Sequence, residues 1–439
     1  MALMANVSKS VTVKAGIVGI IVLLLMIPLT MLRGLVSERE GMRSKAFVRV
    51  AEGWGGTATL SGPIVIVPTQ QRVEEGEGEP TIRSSVYLLP AVLNADVRLG
   101  LEEEPRHVGI YEVPVYLSEA TFTGRFDFAS LRTVNVPQGT QFSWSEARIV
   151  LPISQTRSLR QIARAQFHND PLQMGPAGRA ALNGIEAPLD LSEFAQGGVA
   201  EFEFSVVVAG SREFSLLPLG SVTTVKMTSN WPHPSFRGAF LPVRRSIDGA
   251  GFQAEWQVLE LNRPYRQTGL ETEVDAAAIT TTAFGVGVYP TVDVYQRGER
   301  AIKYAMLFIA LTFLTFFAWE QISRVRVHPL QYLLVGLALS VFYLLLIALS
   351  EHVAFGFAYA SAATALIALI GWYIAGAMHS ARRGMVAAGA MIAIYVILYL
   401  LILSEDYALL LGAVAVFAAL GAVMAITRRV DWYRLSQVE

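Results

Sequence analysis

One stretch of this chain gathers residues with chemical capability: Thr228-Ser229-Asn230-Trp231-Pro232-His233-Pro234-Ser235-Phe236, followed by Gly238, Phe240, Leu241 and Pro242. Prolines on either side of His233 fix φ and hold the backbone extended, so the imidazole is presented in one direction with aromatic rings on both sides. Asn230, Trp231, His233 and Phe236 are therefore the candidate binding surface. A lone histidine works as a general base only beside a nucleophile or a carboxylate, and nothing in the segment completes such a set. Trp231 and Phe236 are expected to plug the core and His233 to bond a carbonyl, ahead of any catalytic role.

Other chemistries find little support. The chain contains no cysteine, which removes disulfides, thiolate nucleophiles, iron–sulfur clusters and cysteine-ligated zinc. Its six histidines lack metal-ligand spacing, and GxSxG, HExxH, Walker and dinucleotide motifs are absent. No cofactor is expected. Gly285-Val286-Gly287 is expected only to let a strand approach its neighbour. A formal charge of −1 gives no basic face for nucleic acid.

A second cluster is electrostatic. Glu351 and His352 end one apolar run, Glu405 and Asp406 end another, and Arg297, Arg300 and Lys303 precede a third. Arg300, Lys303, Glu351, His352, Glu405 and Asp406 form a candidate membrane junction in which the acids dock against the basic flank. Exposed pairs of this kind contribute only about 0 to 1 kcal/mol each. The similar endings Leu346 to His352 and Leu401 to Asp406 hint at a parallel repeat of the sort some transporters use, although apolar helices match one another easily.

The elements that must position these residues follow from the apolar content, 53% of the chain, which calls for lipid. Residues 15–32 are expected to be a retained anchor helix, with Pro28 kinking one end. Five further spans are expected near Tyr304 to Trp319, Leu330 to Leu349, Ala354 to Ala377, Met385 to Leu403 and Tyr407 to Thr427. Their connecting turns alternate: Arg324, Arg326 and His328, then Glu351 and His352, then Arg382 and Arg383, then Glu405 and Asp406, then Arg428 and Arg429. Because short loops carry positive charge on the cytoplasmic side, the basic turns and both termini are expected inside. The acidic turns and residues 33–303 then lie outside. Small residues four apart, such as Ala358 and Ala362, Gly384 and Ala388, and Ala415 and Ala419, allow close helix packing.

Between the anchor and the bundle the period shifts from helical to two. Leu35 to Val50 reads as a membrane-proximal helix ended by Gly53, Gly55 and Gly56. Beyond it, Gly62 to Pro68, Ser85 to Leu89, Ile110 to Leu117, Ala120 to Phe128, Glu201 to Ala209 and Val222 to Thr228 read as strands. Ser158 to Gln166 and Leu191 to Ala195 read as short helices, and Gln71 to Pro80 and Phe167 to Gly178 as loops. The expected class is a mixed membrane protein: six transmembrane α-helices plus a large extracytoplasmic, antiparallel β-rich domain of one or two sandwich-like units. The expected segments are a cytoplasmic tail 1–14, the anchor 15–32, a periplasmic domain 33–303, a five-helix bundle 304–427 and a cytoplasmic tail 428–439.

Several stretches together resemble the CreD family of Gram-negative inner-membrane proteins over almost the full length. They include Ile27-Pro28, Leu60-Ser61-Gly62-Pro63, Thr228 to Phe236, Gly251 to Ala254 with Trp256, His328 to Leu337, Phe342 to His352, Ala408 to Gly412 and Asp431-Trp432-Tyr433. The resemblance implies an inner-membrane protein under a two-component regulator, linked to envelope integrity, colicin tolerance and β-lactam response. It supplies no catalytic residue, ligand or cofactor. The leading expectation is a non-enzymatic protein whose periplasmic domain binds an envelope protein, lipid or peptidoglycan component while the bundle sits in the lipid bilayer. A transporter or lipid-handling role for the bundle is the alternative, and an envelope-modifying hydrolase built on His233 the third.

Overall fold

The computed structural model describes residues 11–72, 81–178, 182–288, 294–323, 327–377, 379–404 and 407–427. The chain divides into two compact units, one of residues 1–42 with 292–439 and the other of residues 43–291.

The first unit is helical. Helices Val11–Leu24 and Met26–Gly53 are separated only by Leu25, so anchor and membrane-proximal helix follow each other without a loop. The interruption lies one turn before Pro28, whose ring crowds the carbonyl four residues earlier and whose nitrogen cannot donate. Helices Val294–Ser323, Pro329–Ser350, Phe355–Ala377, Ala381–Leu403 and Ala408–Thr427 follow. Five of the helices are long and apolar enough to cross a membrane, against the six expected. Residues 407–427 do contain a helix, but part of its side chains lie outside the described residues, so five spans stand among those described.

Small residues set the helix spacing at two of the three expected places; the side chains of Ala415 and Ala419 lie outside the described residues. A Cβ built on Gly384 would lie 2.6 Å from the Gly371 carbonyl oxygen and 2.7 Å from the Ala375 Cβ, and Ala358 and Ala362 are fully buried. Helices Phe355–Ala377 and Ala381–Leu403 are thereby in close contact, and the Tyr359 hydroxyl donates to the Tyr395 carbonyl at 2.6 Å.

The second unit is built on sheets. The largest has eight strands in the order Asp170–Pro171, Leu159–Phe167, Val199–Ser211, Val115–Asp127, Val92–Leu101, Val222–Ser229, Gly251–Leu259 and Arg244–Asp248. A seven-stranded sheet runs Gly175–Pro176, Gly184–Leu189, Ala147–Pro152, Ile64–Arg72, Thr81–Leu88 and Thr268–Leu270, with Thr140–Phe142 paired to Ile64–Arg72. Strict alternation, as in Val92–Leu101, buries one face of the large sheet and leaves polar residues on the other. Inward residues of both sheets, such as Val65, Ile149, Phe122 and Phe204, belong to one continuous core, so the unit is one sandwich. Pairing is mostly antiparallel, with Val92–Leu101 parallel to Val222–Ser229 as an exception.

A third sheet of four strands collects distant segments in the order Ala58–Ser61, Glu213–Leu217, Phe284–Gly287 and Ser235–Gly238. Gly285 serves here as expected, since a Cβ on it would lie 2.0 Å from the Phe214 carbonyl oxygen.

The expected helix at Ser158 to Gln166 is a strand. Its hydrophobic spacing suits a helix, but Leu159–Phe167 pairs with Val199–Ser211 through two register shifts, and those irregularities break the alternation that marks a strand. The expected turn of helix near Leu191 is a 3₁₀ turn, Ser192–Phe194. The expected loop at Gln71 to Pro80 lies largely outside the described residues. The membrane-proximal helix ends at Gly53, and its last turns bury Phe47 and Val50 against Val113 and Val115. Trp54, next in the chain, has the guanidinium groups of Arg106 and Arg160 at 4.4 and 4.9 Å from its ring.

Candidate functional site

The Trp-Pro-His-Pro segment leads from the large sheet into the four-stranded one. Asn230 follows strand Val222–Ser229 and uses both ends of its amide: Oδ1 accepts from the Leu101 N–H at 2.8 Å and Nδ2 donates to the Leu101 carbonyl at 3.2 Å. That side chain imitates one more residue of strand pairing. Asn230→Ala is expected to cost about 1 kcal/mol, the net worth of such bonds, read by urea unfolding of the purified protein. The Trp231 indole donates to the His233 carbonyl at 2.8 Å and meets the exposed imidazole edge-on at 6.1 Å. Phe236 turns inward, edge to face with Phe252 and Trp256 at 5.6 and 5.7 Å.

These four residues take separate tasks. Asn230 lines an open depression of about 600 Å³ with Arg98, Thr228, Ser246, Asp248 and Gln253. Trp231, His233 and Phe236 are not among the residues lining it.

A more enclosed concavity lies elsewhere in the sandwich, a cleft of about 680 Å³. Its floor is apolar, from Ile64, Ile66, Leu89, Val150 and Ile279, and the edge strand Thr268–Leu270 forms part of its wall. Among the described residues that line it, the carboxylates Glu260, Glu271, Glu273 and Asp275 outnumber the lining guanidinium of Arg266. Glu271 is bridged by Arg148 at 3.0 and 3.2 Å, and Asp275 accepts from the Ala278 N–H at 3.0 Å, capping the helix Ala276–Thr281.

A polar scaffold fixes the wall. Arg263 is buried, 4.4 Å from the Tyr265 ring, and donates to the Tyr265 carbonyl at 2.9 Å and to the Gln267 side chain. Gln267 in turn holds the Pro90 carbonyl through its amide and accepts from the Leu89 N–H at 2.9 Å through its backbone. Burial pulls the Arg263 pKa down and pushes the Tyr87 and Tyr265 phenols up. The phenols therefore stay neutral and act as donors: Tyr87 to the Arg266 carbonyl at 3.3 Å and Tyr265 to the Pro218 carbonyl at 3.1 Å. Among the described residues, no three His, Asp or Glu side chains gather as a metal site would require.

In the helical unit, Glu351 has Arg39 at 3.6 Å and the Tyr295 hydroxyl at 3.2 Å. Arg297 lies over the Phe355 ring at 5.3 Å, Arg300 is half-buried, and Lys303 and His352 are exposed. Glu405 and Asp406 lie outside the described residues.

Sequence reading missed the most buried carboxylate among the described residues and the lysine paired with it. Glu320, only 6% exposed, forms an ion pair with Lys14, accepts from the Tyr332 hydroxyl at 2.9 Å and accepts from the Val327 N–H at 2.9 Å. Lys14 also donates to the Val327 carbonyl at 2.6 Å. Each residue alone resembles an ordinary charge flanking an apolar run, and only the fold brings them together across the length of the chain.

Residues 10–433 match the family model described as Inner membrane protein CreD. The curated Inner membrane protein CreD of Escherichia coli (strain K12) is 33% identical over 421 residues, covering 94% of this chain and 92% of that one. Among solved structures, an M1 zinc metallopeptidase from Deinococcus radiodurans overlaps 47% of this chain and 45% of its own at a TM-score of 0.23 and 11% identity. A substrate-bound mutant of an M1 zinc metallopeptidase from the same organism overlaps 39% of either chain at 0.21 and 11%. Overlaps that weak carry nothing about fold or chemistry here. The family model and the Escherichia coli relative both span nearly the whole chain, and this protein belongs to the CreD family of inner membrane proteins.

Proposed function

We propose that this protein supports cell-envelope integrity by binding rather than catalysis, with residues 43–291 on the periplasmic side holding an envelope component and the helices anchoring it in the inner membrane. The supporting observation is the cleft of about 680 Å³, whose apolar floor and carboxylate-rich rim suit a ligand with an apolar body and a cationic group. Its wall is held by the Arg263 and Gln267 network, so the shape exists before a ligand arrives and little ordering entropy is lost on binding.

Leu270 stands half-buried on the edge strand that walls the cleft. Leu270→Trp is expected to occupy the cleft and abolish complementation of an envelope-integrity defect in a strain lacking the protein, with abundance unchanged on an immunoblot. Full complementation by this variant at normal abundance would remove the cleft from the function. His233→Ala, at an exposed side chain, is expected to complement normally; loss of complementation at normal abundance would instead favour a hydrolase.

A further inference from the structure

We infer that the protein self-associates through the open edge of its large sheet, strand Arg244–Asp248 pairing antiparallel with the same strand of a second copy about Ser246.

Arg244–Asp248 ends the eight-stranded order, and all five of its residues are exposed. An open edge offers backbone groups to any incoming strand. The charges on the polar face specify which strand fits. Registered side by side across four strands, Asp96, Lys226, Glu255 and Arg244 alternate in sign, and Arg244 and Glu255 are 3.6 Å apart. The row ends on a cation at the open edge. Antiparallel pairing about Ser246 sets Arg244 of each copy opposite Asp248 of the other, which continues the alternation on both sides of the seam. Centring on Arg245 would oppose two guanidiniums, and centring on Ile247 would separate Arg244 from Asp248. One register is favoured.

Apolar exposure agrees with a covered edge. Leu241 and Val243, each 69% exposed, lead into the strand, and Ile247 is 47% exposed. In the favoured register Ile247 lies opposite Arg245 of the second copy, whose aliphatic stem would cover it. Five paired residues make a small contact, yet copies anchored in one bilayer meet at a raised effective concentration. Arginines on an edge can equally serve to keep strands apart, and the experiment separates the two uses.

The chain's lack of cysteine makes single-cysteine crosslinking clean. Directly opposed residues have Cα atoms about 4.5 to 5.5 Å apart, within disulfide reach. In membranes containing the full-length protein, Ser246→Cys is expected to form a disulfide-linked dimer on mild oxidation at least about tenfold faster than Leu261→Cys, a site 93% exposed that reports random collision. Arg244→Cys alone should crosslink no faster than that control, because its counterpart lies four residues, about 13 Å, along the seam. Mixed with Asp248→Cys carrying a different tag, it should give the heterodimer. Asp248→Asn, which keeps an acceptor for the Ala250 and Gly251 N–H groups that bond Asp248 Oδ1 at 2.9 and 3.1 Å and removes the charge, should slow the Ser246→Cys dimer severalfold. Equal rates for Ser246→Cys and Leu261→Cys, or self-crosslinking of Arg244→Cys at the rate of Ser246→Cys, would overturn the inference and leave the edge as a blocked one.

Discussion

Glu320→Ala is expected to destabilise the helical unit by about 3 to 5 kcal/mol, the cost of leaving a buried ammonium without its carboxylate. Lys14 is 13% exposed, and beside Glu320 it meets the Val327 carbonyl and the Tyr332 ring at 6.0 Å, so among the described residues the ion pair supplies its formal countercharge. The substitution also strands the Tyr332 hydroxyl and the Val327 N–H. Any reach of the lysine stem toward water moves the loss toward the lower figure. Glu320→Gln keeps an acceptor for Tyr332 and should fall between alanine and the native residue. Replacing both partners, Lys14→Met with Glu320→Leu, should recover the part of the loss due to the unpaired ammonium, while the Tyr332 hydroxyl and the Val327 N–H stay without their acceptor. Thermal unfolding in detergent micelles measures all of these; a Glu320→Ala midpoint equal to the native one would show that the cluster does not hold the N-terminal helix.

Trp256→Ala should cost about 3 to 5 kcal/mol in the sheet unit, the range for removing a large core aromatic. Trp256 is 1% exposed, its ring lies 5.7 Å from both Phe236 and Phe284, and its indole donates to the Phe240 carbonyl at 3.2 Å. It thus joins the large sheet to the four-stranded one by packing and by a hydrogen bond. Trp256→Phe keeps most of the ring volume but leaves the carbonyl unpaired, for an expected loss of about 1 to 2 kcal/mol. Urea unfolding of the full-length protein separates the two variants: equal losses would mean the ring's packing adds nothing to the indole bond, and a Trp256→Phe midpoint equal to the native one would mean the bond contributes nothing.

Trp256 also shows where sequence was informative. Its segment, Gly251 to Ala254 with Trp256, carries part of the family resemblance, and the structure supplies a packing reason. Gly251 has φ of +148° and a Cβ there would lie 1.9 Å from the Ser229 carbonyl oxygen, so only glycine fits the turn that delivers Trp256 to the core. Period-two runs such as Glu201 to Ala209 were legible because the inner face is apolar along the strand. Leu159–Phe167 was not, because its register shifts hide the alternation. The cleft was illegible for a different cause: Ile66, Leu89, Val150 and Leu270 come from four separate segments, and a concavity made by their meeting leaves no local pattern. The Asn230 to Phe236 segment was visible because it is local, yet its residues hold strands and fill the core more than they share one surface.

The four-stranded sheet has a consequence for how the chain is made. Its members come from residues 58–61, 213–217, 235–238 and 284–287, so the sandwich binds its own first strand to its last. A ribosome delivers these pieces in order, and the first must wait for Glu213–Leu217, and that one for Phe284–Gly287, before the sheet can close. Such long-range closure is slow and leaves apolar edges open meanwhile. Closure becomes possible only a few residues ahead of the helix Val294–Ser323. The sandwich therefore reaches its finished form as synthesis turns to the second group of membrane helices, and a chain truncated before Phe284 should be met by proteases as an unclosed sheet.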